Sequence, residues 1–144
     1  MRESDTINLL RECDAGIKMG VASIDEVLEY AYDDKLKKYL IDCKDKHVKL
    51  KEEIRTLLDE LHCDGKEPNP MAKGMSWIKT NVKLIMKESD HTIADLITDG
   101  CNMGVKSLNK YLNQYKAADE KPKDITKRLI SLEEKLSEDM HQFL

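Results

Sequence analysis

The sequence predicts an all-α chain, four long helices and one shorter one packed as a bundle. Three observations lead there. Apolar residues recur at three-and-four spacing over long stretches, the signature of one buried helix face. Three prolines and six glycines leave those stretches largely uninterrupted. One Trp, one Phe and five Tyr leave burial mainly to Leu, Ile, Val and Met. At 144 residues and 16.6 kDa the chain suits one domain, residues 1–144, with a single core.

The first helix is expected over 6–32, capped by Ser4 or Asp5, with Ile7, Leu10, Ile17, Val21, Ile24 and Leu28 facing inward. YDDK at 32–35 makes the turn, and an aspartate caps the second helix, 34–62. That helix carries Leu36, Leu40, Cys43, His47, Leu50, Ile54, Leu57 and Leu61 on one face, apolar throughout except for His47. CDGKEPNP at 63–70 is the clearest loop: Gly65 stops the helix, and Pro68 and Pro70 prevent its continuation. A shorter helix, 71–87, turns Met75, Ile78, Val82 and Ile85 inward.

SDHT at 89–92 interrupts the pattern, and Ser89 or Asp90 can cap a helix over 91–115; a continuous helix from 71 to 115 is the rival. KAADEKPKD, 116–124, forms the last turn. Pro122 stands near the start of a final helix, 123–143, with Ile125, Leu129, Leu132, Leu136, Met140 and Phe143 inward. The short element can carry the chain from one end of the bundle to the other, so that the second and third long helices run parallel. This is the crossover topology of ferritin-like bundles rather than the all-antiparallel one.

Charge and composition exclude some function classes. The net charge is -4 with acids and bases interspersed, which argues against a nucleic-acid surface. No stretch approaches the roughly eighteen apolar residues of a membrane span. MRESDTINLL reads as helix rather than as a signal peptide, so a cytoplasmic location is expected. Cys13, Cys43, Cys63 and Cys101 form no C-x-x-C pair and are expected as free thiols. Phosphate-binding loop, nucleophile elbow and dinucleotide fingerprint are all missing from the sequence.

His47 is the leading candidate for chemistry, because on its stripe it points into the bundle, where both ring nitrogens need partners. It reads first as a core histidine bonded to a carboxylate or carbonyl, and second as a metal ligand or acid–base group. Asp14 and Asp99 interrupt the inner sides of their helices. Counted from the helix ends, they and Glu133 or Glu134 fall toward the middle of the bundle with His47. Cys101 is a possible thiol nucleophile.

Other pairs are weaker. Glu88/His91 straddles a helix boundary, and Glu138/His141 flanks the apolar stripe and faces solvent. Lys44 stands where an E-x-x-H motif around His47 needs its acid. Asp59/His62 sits at a helix end, where a histidine meets the negative end of the dipole. Trp77 and Lys79 on the short element read as a lid, or as a protein contact if exposed.

Gly16-x-x-x-Gly20 and Gly100-x-x-x-Gly104 are costly inside helices, about 1 kcal/mol per glycine relative to alanine. Close backbone approach between the first and third long helices is the structural explanation. A small ligand cavity is the functional one.

The chain resembles a family of small bacterial ferritin-like proteins of unknown function. The segments that carry the resemblance are ECDAGIKMGVASIDEVLEYA, HVKLKEEI, EPNPMAKGMSWIKTNVKL and TDGCNMGVKSLNKYLNQYKAADE, which together cover almost the whole chain. The resemblance implies a left-handed four-helix bundle, association as homodimers or larger assemblies, and in better-studied relatives iron or manganese between the helices. The corresponding ligand positions here are Asp14, His47, Asp99 and Glu133 or Glu134. Lys44, and Asp99-Gly100-Cys101 in place of Glu-x-x-His, depart from that pattern.

Three functions follow. The first is a non-catalytic, self-associating bundle with an unidentified protein partner, marked by an exposed apolar patch. The second is a metal-binding or weakly oxidoreductase bundle, marked by His47 amid at least two carboxylates. The third is a small-ligand binder, marked by an apolar pocket beside the glycine pairs.

Overall fold

The computed structural model describes residues 1–68 and 89–144. These residues form four α-helices: α1, Arg2–Leu28; α2, Asp34–Glu60; α3, Ser89–Gln114; and α4, Glu120–Met140. A short 3-10 turn, His141–Phe143, follows, and no strand occurs among the described residues. The expected short helix at 71–87, with Trp77 and Lys79, lies outside the described residues, as does the choice between one helix and two over 71–115.

Local chemistry sets the helix ends. Asp33 caps α2 as expected, its Oδ1 accepting the N–H groups of Lys35 at 2.7 Å and Leu36 at 3.1 Å. At α1 the expectation is corrected. The helix starts at Arg2 behind Met1, with no side-chain cap: Ser4 donates to the Met1 carbonyl and Asp5 accepts the Ala117 N–H. The stop of α2 is corrected as well. His62, at φ 55°, takes the left-handed position, and the Cys63 N–H returns to the Leu58 carbonyl at 2.9 Å. Gly65 serves another purpose: a Cβ there would overlap the Asp14 carboxylate. Pro122 sits in the first turn of α4, where its missing N–H leaves no helical bond unmade.

Two contacts fix the direction of every helix. At one end, Asp90 near the start of α3 accepts the N–H groups of Tyr32 at 2.7 Å and Asp33 at 3.0 Å. Asp90 therefore ties α3 to the α1–α2 turn instead of capping its own helix. At the other end, Asp5 accepts the Ala117 N–H at 3.0 Å and Thr6 Oγ1 accepts the Asp119 N–H at 2.8 Å. It follows that α1 and α4 run one way while α2 and α3 run the other. Each helix packs beside antiparallel neighbours, α1 on α2 and α3, and α4 on α2 and α3.

The apolar interior is divided along the bundle axis. One cluster joins Ile24, Leu36, Leu40, Ile93, Ile97 and Met140. The other joins Leu10, Ile17, Leu50, Ile54, Leu108 and Leu129. Each fully buried Leu or Ile contributes about 1.5–3 kcal/mol of transfer free energy. Between the clusters every helix places a residue that is not a large apolar one: Gly20 between Ile17 and Ile24, His47 between Cys43 and Leu50, Gly104 between Cys101 and Leu108, and Glu133 between Leu129 and Leu136. This middle layer forms the site.

Candidate functional site

His47 projects from the inner face of α2 and is 1 % exposed. Its Nδ1 lies 2.8 Å from the Cys43 carbonyl, which can only accept, so Nδ1 carries a proton. Its Nε2 lies 2.9 Å from Glu133 Oε1 on α4. Burial works against a charged ring, but the side chains of Cys43, whose Sγ lies 3.4 Å from Nδ1, and of Glu133 outweigh it and lift the His47 pKa to about 10. At neutral pH the ring is therefore an imidazolium, with both ring nitrogens donating.

On α3, burial of Cys101 followed by the nearby Glu133 charge pushes its pKa far up. It stays a thiol and does not supply the thiolate that a nucleophile needs. Lys44, at the position where a metal motif would carry an acid, is ion-paired with Asp25 on α1.

The glycines explain how His47 and Glu133 fit. A Cβ on Gly20 would come 3.4 Å from the His47 ring, and one on Gly104 would come 3.6 Å from Glu133 Oε2. Both side chains reach toward α1 and α3 because glycine faces them. Gly16 is different: a Cβ there would meet nothing within 4 Å. It opens onto a cavity of about 510 Å³ between α1 and α3, lined mainly by apolar atoms. All four glycines of the two pairs line it, with His47 and Glu133 forming part of its wall and Tyr111 and Leu108 further along. Gly16 thus borders open space, whereas Gly20 and Gly104 face the His47 and Glu133 side chains. Gly16→Ala is therefore expected to raise stability by about 1 kcal/mol, the helix-propensity gain of an unopposed methyl, as read by urea denaturation.

The expected convergence of His47, Asp14, Asp99 and Glu133 is corrected in part. His47 and Glu133 meet. Asp14 is buried but turned toward the loop after α2, where it accepts the Lys66 N–H at 3.0 Å and pairs with Lys18 at 2.8 Å. Asp99 and Glu134 are exposed. The helix rotation that points Cys101 and Ile97 inward turns Asp99 outward, since it lies only two residues from each. Among the described residues no three His, Cys, Asp or Glu are grouped to hold a metal ion. The four candidates therefore do not fit a shared iron or manganese ion.

Of the other pairs, His91, Asp59, His62, Glu138 and His141 are exposed, and Glu88 lies outside the described residues. Gly20 and Gly104 are the functional positions that residue-type reasoning missed as partners of the pair. The signal was present in the sequence, as a gap in the apolar series at the same level of each helix. No described helix is long and apolar enough to cross a membrane. Comparison of the chain with family models, with curated proteins and with solved structures finds no match in any of the three.

Proposed function

We propose that this chain is a helical-bundle binding protein for a small, largely apolar molecule seated between α1 and α3. One observation carries the reading. Gly16 incurs the helix cost of glycine although no neighbour requires it, and the space it leaves belongs to a cavity of about 510 Å³. That volume lies within the usual range for ligand sites, roughly 300–1,000 Å³. The metal-binding alternative required His47 amid two carboxylates, whereas one meets it. Self-association required a gathered apolar patch. The exposed large apolar residues among those described are Ile41 and Val48, which share a face of α2, and Met1, Tyr32, Met103 and Leu144 on other elements.

The helix directions support a ferritin-like arrangement, with α2 and α3 parallel and joined by a connection that crosses from one end to the other. On that reading the middle layer, where ferritin-like relatives hold metals, is given over to an ion pair and a cavity.

Titration with Nile red, a neutral apolar dye, tests it. The wild type is expected to bind the dye near one equivalent with blue-shifted emission. Gly16→Leu, which projects a side chain into the cavity, is expected to weaken that binding while keeping the helical circular dichroism of the wild type. Absent binding, or equal binding by both proteins, would overturn the proposal.

A further inference from the structure

We propose that the ligand is a neutral apolar molecule bearing a hydroxyl group, which donates its hydrogen bond to Glu133 at the back of the cavity. This rests on the cavity being a ligand site and adds what the ligand must carry. His47 has two N–H groups and both are spent, one on the Cys43 carbonyl at 2.8 Å and one on Glu133 Oε1 at 2.9 Å. A carboxylate has about four acceptor positions. With His47 Nε2 on one of them, Glu133 keeps acceptor capacity toward the cavity.

The neighbouring residue leaves that capacity accessible. Glu133 Oε2 faces Gly104, which has no side chain; a Cβ there would lie 3.6 Å from the oxygen, in contact with it. The carboxylate accepts hydrogen bonds, and the two N–H groups of His47 beside it are already spent. Tyr111 stands further along the wall, near Glu12. Ser23 and Ser107 line the sides; their hydroxyls rotate to donate or accept and do not discriminate.

Charge narrows the class further. The ionic groups along the cavity pair off, His47 with Glu133 and Lys66 with Glu12. A ligand carboxylate at that end would be repelled by the Glu133 charge, and the two N–H groups of His47 beside it are already spent. A ligand ammonium would bring an extra positive charge next to the His47 imidazolium inside an apolar cavity. A neutral hydroxyl satisfies Glu133 without leaving a charge uncompensated.

Three probes with one ring system separate these cases: 2-naphthol, which donates; 2-methoxynaphthalene, which only accepts; and 2-naphthoate, which is anionic. Their affinities are measured by isothermal calorimetry at pH 7 on the wild type and on Glu133→Gln, with circular dichroism confirming the fold of both. The wild type is expected to bind 2-naphthol about tenfold or more tighter than either of the others, the discrimination of one unmade hydrogen bond to a charged acceptor. In Glu133→Gln, whose amide donates as well as accepts, that preference should shrink to within about threefold. Equal or tighter binding of 2-methoxynaphthalene or 2-naphthoate by the wild type would overturn the hydroxyl assignment alone, since the cavity would still be occupied. A preference that survives unchanged in Glu133→Gln would overturn the role of Glu133. Failure of all three probes, together with failure of Nile red, would overturn the cavity reading itself.

Discussion

Glu133→Ala is expected to lower the stability of the folded chain by about 3 kcal/mol at pH 7, the low end of what breaking a buried ion pair costs. The reason lies in what is left behind. His47 is 1 % exposed, and its Nε2 has Glu133 as its hydrogen-bond partner. Without the carboxylate the ring must either stay charged in an apolar layer or release a proton and leave Nε2 unpaired. Two features hold the cost at the low end: the Glu133 side chain is 14 % exposed, and the adjoining cavity can admit water.

The double variant His47→Leu/Glu133→Leu is expected to recover most of that loss, because removing both charges removes the desolvation penalty together with the attraction. Urea denaturation of the wild type, the single variant and the double variant checks both statements. A double variant less stable than Glu133→Ala would show that the layer needs polarity for another reason.

Stability is also expected to fall as pH rises from about 6.5 to about 10, the interval between the ordinary histidine value and that of His47 in the fold. The sign follows from proton binding. Across this interval the folded chain holds a proton on His47 that the unfolded chain has already lost. Stabilisation by that proton is complete below the unfolded value and disappears as pH passes the folded one. One such proton imposes a slope of at most about 1.4 kcal/mol per pH unit. Other groups titrate near the top of the range, so the comparison with His47→Gln isolates this one. Denaturation at pH 6 and pH 9 should show a loss in the wild type that is clearly smaller in the variant. Equal losses would mean that His47 is neutral in the fold.

The parts of the fold that depend on periodicity were legible in the sequence. The inward series of α2 held from Leu36 through Ile54, and His47 stood out because it broke that series. The parts decided by contacts between distant segments were not. Ser4 and Asp5 looked like caps for α1, yet Asp5 and Thr6 serve the turn before α4, more than a hundred residues away in sequence. Asp90 looked like a cap for α3 and instead holds the α1–α2 turn. Gly65 looked like a helix stop, but that task falls to His62, while Gly65 makes room for Asp14.

The site shows the same division. Counting residues from the turns brought His47 and Glu133 to one level, because both lie on continuous helices whose ends are well marked. It failed for Asp14 and Asp99, where the helix rotation, not the axial level, decides which way a carboxylate points. Asp14 is turned to the loop and Asp99 to solvent. The two glycine pairs were visible as an anomaly of cost. Only the facing surfaces could show that they border a cavity rather than a close helix contact.

Methionine methyl groups offer the most direct view of whether that cavity receives a ligand. Met19 and Met103 line it, whereas Met140 is fully buried in the neighbouring apolar cluster. Two-dimensional NMR of methyl-labelled methionine during titration with Nile red is expected to show saturable shifts for Met19 and Met103, with Met140 nearly still. Shifts confined to other methionines, or none at all, would contradict the account.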